Sequence, residues 1–539
     1  MLKKLFPLLL LVIIGLIPIL DLFHPGLPIT HDGQDHVARI ANFYQNLQDG
    51  NIIPRWAPNL NWGFGHPILM FLYPLPSYIS SLFHFLGFNF VDSFKIVLGL
   101  TYILSGVTMY LWIKNFLSKE GALAASFLYL FAPYRFIDLY VRGDIGEHVA
   151  FLFIPLVLYF LFKLSKNYSS WFIAGGSLSF AGLILSHNAV SLMFLPVIFF
   201  YCLYLYFYSK QNNLIRNLAM VFILGFGLSS FFWVPAFFEG KFTLRDIVTA
   251  NEYKSRFVSL AQLIYGQWNY GGSGQFTVQL GMIHWLMVLL AIPLSIFFYI
   301  KKNKLWILTT GSLIILLLNI FIMLPYSDFI WAHLKILQNF QFPWRVLAIS
   351  VFMTSVLGGI VISQIKKYQL FIMCFILVLI LFLSKDYWKA LEYKVFPETF
   401  FTSIYNGTTD TGESAPIWSV RFMLEQPRTH TEVIDGTAKV QDVSRNSTNH
   451  VYKVDVQRDA RIRENTVYFP GWDADVDGKP VSVQFQDPNS RGLITFNVPR
   501  GQHLVLVKFT ETKLRRISDI VSILSFLAVL LILIKFKKT

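Results

Sequence analysis

Twelve separate apolar runs, each of roughly 16 to 21 residues, constrain this chain more than any motif, because each is long enough to cross much or all of a bilayer's hydrocarbon. They begin with Leu5 to Leu20 behind Lys3 and Lys4, and continue near 94–113, 120–137, 148–164, 170–186, 190–208, 214–233, 279–299, 305–324, 345–363, 369–384 and 517–535. Hydrophobic residues make up 55% of the 539, aromatic residues 17%, and the mean hydropathy is +0.52, so the pattern reads as a polytopic membrane protein of about twelve helices. The net charge of +14 does not point to nucleic acid, since the basic residues fall largely in short gaps between apolar runs and serve as topology signals. Cys202 and Cys374 both lie inside apolar runs, which excludes a disulfide framework or a cysteine metal site. No small-residue cleavage site follows Ile19-Leu20-Asp21, so the first run is expected to be a retained helix.

One further apolar stretch, 67–86, contains Pro74 and Pro76 and decides which loops share a face. If it does not span, Lys3/Lys4, Lys114/Lys119, Lys163/Lys166, Lys210/Arg216, Lys301/Lys302/Lys304, Lys366/Lys367 and Lys535/Lys537/Lys538 all lie in the cytoplasm, as the positive-inside bias requires. We therefore expect an interfacial or re-entrant helix there, both termini cytoplasmic, and the segments 21–66, 138–148, 234–278, 325–344 and 385–514 outside a prokaryotic plasma membrane. The division expected is a transmembrane domain over 1–384, an extracytoplasmic β domain over 385–514 and a last helix with a basic tail over 515–539. Within 385–514, runs such as Val451 to Val456 and Leu504 to Phe509 alternate with period two, and Asp477-Gly478 between two such runs signals a hairpin, together suggesting a small β-sandwich-like domain.

The outer segments carry the polar chemistry. THDGQDHVARIANFY at 30–44 places Asp32, Asp35 and His36 at the mouth of the first span, where hydrocarbon cannot hydrate them. YVRGDIGEHVAF at 140–151 brings Arg142, Asp144, Glu147 and His148 to a helix start, and NFQFPWR at 339–345 ends on Arg345. Each has a plain structural alternative. Asp32 and Asp35 have the spacing of an N-cap and its N3 residue, and Asp35 can pair with Arg39; Asp144 and Glu147 have capping-box spacing. Arg345 beside Trp344 can be an interfacial anchor, and His187-Asn188 can be a turn.

The order of these parts resembles the GT-C superfamily of membrane glycosyltransferases: an acidic HDGQDH motif at 31–36 after the first span, Pro54-Arg55-Trp56, then an aromatic juxtamembrane helix after Gly65-His66-Pro67. The run at 50–79 is similar to membrane proteins labelled "6-pyruvoyl-tetrahydropterin synthase-related". Gln341 to Arg345, YFPGWDADVDGK at 468–479 and VPRGQHLVLVKF at 498–509 resemble YfhO-type glycosyltransferases. Pterin chemistry itself finds no support, because no compact histidine cluster suited to zinc is visible.

The resemblance implies transfer of a sugar from a polyprenyl-phosphate donor to an extracytoplasmic glycan, lipid or polymer. Asp32 is the residue in the position of the superfamily's base or metal ligand, with Asp35 and Glu147 as further catalytic candidates. His36, Arg39, Arg55, Arg142, Asp144, His148, His187, Asn188 and Arg345 are the expected substrate contacts, with Arg135 a further phosphate contact. Asp32, Asp144 and Glu147 could hold Mg²⁺ or Mn²⁺. The competing readings are a transporter or flippase of lipid-linked sugars, which would carry ionisable residues near the bilayer midplane and paired repeats, and a non-catalytic scaffold of envelope assembly.

Overall fold

A computed structural model describes residues 2–209, 211–271 and 276–535. Among them, nine helices are individually long and apolar enough to cross a membrane, and the number rises to eleven when two bent pairs are each counted as one span. The twelfth expected run, Ser170–Ser186, is helical but shorter, at 17 residues. The chain is thus an integral membrane protein, with every expected run helical.

The first bend has a local cause. Pro133 lacks the N–H that would continue Lys119–Leu130, and the residue before it, Ala132, is extended at φ −65° and ψ 137°, so the chain turns by 45°. A wide turn of π-helix follows over Ile137–Arg142 and ends on Gly143 in the left-handed region at φ +70°. Such turns are a minority conformation that clusters at functional sites. The stretch 67–86 forms two short helices, Ile68–Phe71 and Leu75–Phe85, the longer of only 11 residues, so it does not cross as a single helix.

At the centre stands Leu347–Gln364, buried along nearly its whole length. It packs against Lys119–Leu130 through small residues. A Cβ at Gly359 would come within 2.8 Å of both Ala125 Cβ and Gly121 O, a spacing only glycine allows. The central helix begins at Pro343-Trp344-Arg345, which delivers Arg345 to one end of the bundle.

Two short strands, β1 (Leu27–Pro28) and β2 (Tyr393–Lys394), pair antiparallel and tie the segment after the last central span to the loop before the acidic motif. The remaining strands are β3 (Thr431–Arg445), β4 (Asn449–Val467), β5 (Trp472–Val476), β6 (Lys479–Val481), β7 (Leu493–Val498) and β8 (Gly501–Phe509). Hydrogen bonds join these six into one antiparallel sheet, ordered β3-β4-β8-β5-β6 with β7 also on β4. The long β4 accounts for this continuity, pairing with β8 over residues 449–456 and with β7 over 460–467. Asp477 and Gly478 both have positive φ and form the two-residue turn from β5 to β6, as their sequence signals. Pairing within the six-stranded sheet begins only at Thr431, so apart from β2 most of 385–430 belongs to no sheet and instead crosses over the acidic helix.

Candidate functional site

Gly33–Gln48 is the acidic helix, and Asp32 occupies its N-cap position without making a side-chain cap hydrogen bond. What fixes Asp32 is its backbone: His31 N–H donates to Val141 O at 2.9 Å and Asp32 N–H to Arg142 O at 2.8 Å. The two outer motifs are therefore stitched edge to edge. Gly143 makes the approach possible, because a Cβ there would overlap Thr30 Oγ1 and lie 3.2 Å from Gly33 N.

Arg142 organises the second motif. Its guanidinium donates to Asp138 Oδ1 at 2.6 Å, Asp144 Oδ2 at 2.6 Å and Glu147 Oε1 at 2.8 Å, and lies 5.2 Å from the centre of the Trp344 ring. Asp144 caps its helix by accepting from Glu147 N–H at 3.0 Å, and also accepts from the Tyr73 hydroxyl at 3.3 Å. Tyr134 donates to Glu147 Oε2 at 2.8 Å. Arg345 Nε lies 3.2 Å from Glu147 Oε1, an ion pair that lacks hydrogen-bond alignment, while Arg345 Nη1 donates to Phe340 O. His187 Nε2 stands 3.7 Å from Asp144 Oδ2, with the ring stacked on Tyr73.

The electrostatics separate the two acids outside the spans. Burial pushes the Asp32 carboxyl above the ordinary carboxylate value, with Arg142 only partly opposing it. Burial would also push Asp144 up, but Arg142 and His187 outweigh that and hold it well below the usual range. Among the described residues, the Asp32 carboxylate accepts no hydrogen bond from the protein.

Not every expected residue joins this cluster. Asp35 faces the crossing segment, accepting from the Tyr405 hydroxyl at 2.7 Å, and burial raises its carboxyl too. Arg39 turns to Thr409 and to His36 Nδ1 at 3.0 Å, so the Asp35–Arg39 pair is not formed. His36 is buried and held neutral, its pKa pushed down to about 3 by desolvation and Arg39. Arg55 lies elsewhere: it bridges Glu511 at 2.9 Å and Asp519 at 2.6 Å and clamps the last helix to the outer loop. His148 is fully buried with neither ring nitrogen bonded among the described residues, and Arg135 is enclosed by Phe151, Tyr102 and Tyr129. Asn188 donates to Phe71 O.

Tyr73, Tyr134, Asp138 and Tyr405 were not singled out from the sequence. Asp138 had a usable signal, an acid next to an apolar run; the tyrosines had none, because aromatic residues fill every neighbouring helix.

Asp144, Glu147 and His187 bring one ligand atom each within 4.8 Å of one another, a set of oxygen and nitrogen donors suited by type to a divalent cation. Asp32 is not part of that group. All four carboxylate oxygens of Asp144 and Glu147 already face Arg142, Tyr73, Tyr134 or the Glu147 N–H, so an ion there would share them with Arg142.

A family model described as "6-pyruvoyl-tetrahydropterin synthase related domain; membrane protein" matches residues 69–391. An uncharacterised protein of Lactococcus lactis subsp. cremoris (strain MG1363) is 30% identical over 227 residues, which take in 40% of this chain and 36% of that protein, little more than a third of the relative's length. Three solved structures are also similar. The arabinofuranosyltransferase AftD from Mycobacteria is 14% identical with a TM-score of 0.48, covering 70% of this chain and 26% of that one. The Archaeoglobus fulgidus oligosaccharyltransferase, in complex with Zn and sulfate, is 12% identical at 0.42, covering 76% and 58%. ArnT from Cupriavidus metallidurans, bound to undecaprenyl phosphate, is 12% identical at 0.39, covering 73% and 67%. No residue role is carried over from them.

Proposed function

We propose a function from one premise: the chain belongs to the 6-pyruvoyl-tetrahydropterin synthase-related family of membrane proteins, whose model spans residues 69–391. The function is transfer of a sugar from a polyprenyl-phosphate donor to an extracytoplasmic glycan, lipid or polymer, with the β domain on the same outer face. The observation that carries it is Asp32, a carboxylate at an N-cap position that caps nothing, held by its backbone beside Arg142.

The chemistry follows from that placement. The acceptor's hydroxyl oxygen bonds to the anomeric carbon and its proton passes to Asp32. The bond from that carbon to the phosphate oxygen breaks on the opposite face, and polyprenyl phosphate leaves with the electron pair, giving inverted configuration. A carboxylate with a raised pKa is the better general base. Arg345 supplies the cation for the leaving phosphate at the start of the central helix. A bound divalent ion would do the same neutralising work; because Arg142 already neutralises Asp144 and Glu147, we assign that work to Arg345. Asp144 and Glu147 hold Arg142, and through it the loop that seats Asp32.

The test is donor consumption by full-length protein in lipid, across a panel of polyprenyl-phosphate sugars, with Asp32→Asn alongside. Loss of a general base costs about 10²- to 10⁴-fold. A well-folded Asp32→Asn protein that consumes donor at the wild-type rate refutes the assignment, and movement of lipid-linked sugar between leaflets without consumption replaces the enzyme with a transporter.

A further inference from the structure

Trp344 also lines a cleft of about 460 Å³, which the chemistry above does not use. The volume lies within the range of about 300–1,000 Å³ usual for small-molecule sites. Its walls come from loop residues within 255–269 and 276–278 and from Trp344, the ring that also faces the Arg142 guanidinium. The same loop touches the acidic motif directly, since His31 Nε2 is 2.9 Å from Tyr270 O and the His31 ring lies 5.6 Å from that of Phe276. The cleft is therefore next to Asp32 and separate from the buried ions.

Its lining is specific in kind. Phe257, Phe276 and Trp344 give apolar walls, exposed Gln262, Gln267 and Asn269 give amides, and Arg256 adds a cation. Gln262 spends its Oε1 on the Ser259 N–H in a capping box, and Asn269 spends its Oδ1 on the Gly271 N–H. Among the described residues, Gln262 Nε2, Asn269 Nδ2 and the whole Gln267 amide have no protein partner. Among the described residues no carboxylate lines this cleft, and Gln267 also lines a second cleft of about 380 Å³, with Gln279, Asp386 and Tyr387. Amides and the Arg256 guanidinium set among aromatic rings match a polyhydroxylated ligand longer than one ring, neutral or anionic, with an acid, Asp386, met only in the second cleft.

We propose that this cleft binds the acceptor, and that the acceptor is an oligosaccharide, neutral or acidic, whose hydroxyls accept from Gln262, Gln267 and Asn269 while its end reaches past Trp344 to Asp32. This rests on Asp32 as the base. It narrows the acceptor from glycan, lipid or polymer to a saccharide.

The test is direct binding of maltotriose and of trigalacturonic acid to full-length protein in lipid nanodiscs, read by saturation-transfer NMR and titration. Gln267→Ala removes an amide that supports no fold contact, and Gln262→Glu keeps the capping oxygen while removing the free N–H donor. The expected result is binding of at least one probe, weakened about tenfold in the double variant, the scale of two lost hydrogen bonds. Failure of both probes, or equal binding by wild type and the double variant, overturns the proposal. Cleft-dependent binding without consumption of any lipid-linked sugar would leave the saccharide site standing and remove the transferase reading.

Discussion

Replacing Gly143 with alanine tests whether the stitch between the two outer motifs is what seats Asp32. Gly143 sits at φ +70°, where an L side chain costs about 1–2 kcal/mol. The new Cβ would also overlap Thr30 Oγ1. Relieving that overlap means moving the loop that makes three hydrogen bonds: Gly33 N–H to Thr30 Oγ1 at 3.1 Å, His31 N–H to Val141 O at 2.9 Å and Asp32 N–H to Arg142 O at 2.8 Å. At about 1 kcal/mol each they add roughly 3, for a total near 4–5 kcal/mol if all are lost. Thermal unfolding in nanodiscs, with Thr30→Ala and the double variant completing a cycle, measures it. Thr30→Ala removes the overlapping oxygen, so the double variant should be more stable than the sum of the single losses by about 1 kcal/mol or more. Donor consumption should fall in Gly143→Ala and recover partly in the double variant. Strict additivity, or Gly143→Ala within about 0.5 kcal/mol of wild type, would refute the stitch.

Three further outcomes follow from the site. Arg142→Met leaves Asp138, Asp144 and Glu147 buried without their shared cation and should cost about 3–5 kcal/mol in unfolding measurements, with neutralising Asp144→Asn restoring part of it. Donor consumption should rise with pH through a limb displaced above the ordinary Asp value, since Asp32 must be ionised to accept a proton. Because the folded state binds that proton more tightly than the unfolded chain, Asp32 subtracts stability as pH rises from its unfolded to its folded pKa. Asp32→Asn should therefore be no less stable than wild type near neutral pH, and a lower melting temperature would contradict this. Transfer should persist in EDTA, with Arg345 neutralising the leaving phosphate; abolition by EDTA and rescue by Mg²⁺ or Mn²⁺ would move that role to an ion at Asp144, Glu147 and His187.

The sequence by itself determined the helices, the sheet's strands and several of the charges that the buried cluster brings together. Apolar runs of span length allow one local answer, and period-two runs around Asp477-Gly478 allow one hairpin, because both signals are carried by neighbouring residues. Arg142, Asp144, Glu147 and Arg345 were legible as charges at helix ends, where water no longer hydrates them freely. What the sequence left open was which of two local readings each residue takes. Asp32 and Asp144 have the same N-cap spacing, yet only Asp144 caps, because Arg142 and the Gly143 turn hold the Asp32 backbone across chain 110 residues distant in sequence. Arg55 is an expected substrate contact, but Glu511 and Asp519, more than 450 positions away, take up its guanidinium. The tertiary structure also decided the route of 385–430, which brings Tyr405 to Asp35 and Thr409 to Arg39 without any local pattern to announce it. Spacing along a chain fixes helices and turns; the partner of a buried charge is fixed only when distant segments meet and desolvation forces a choice.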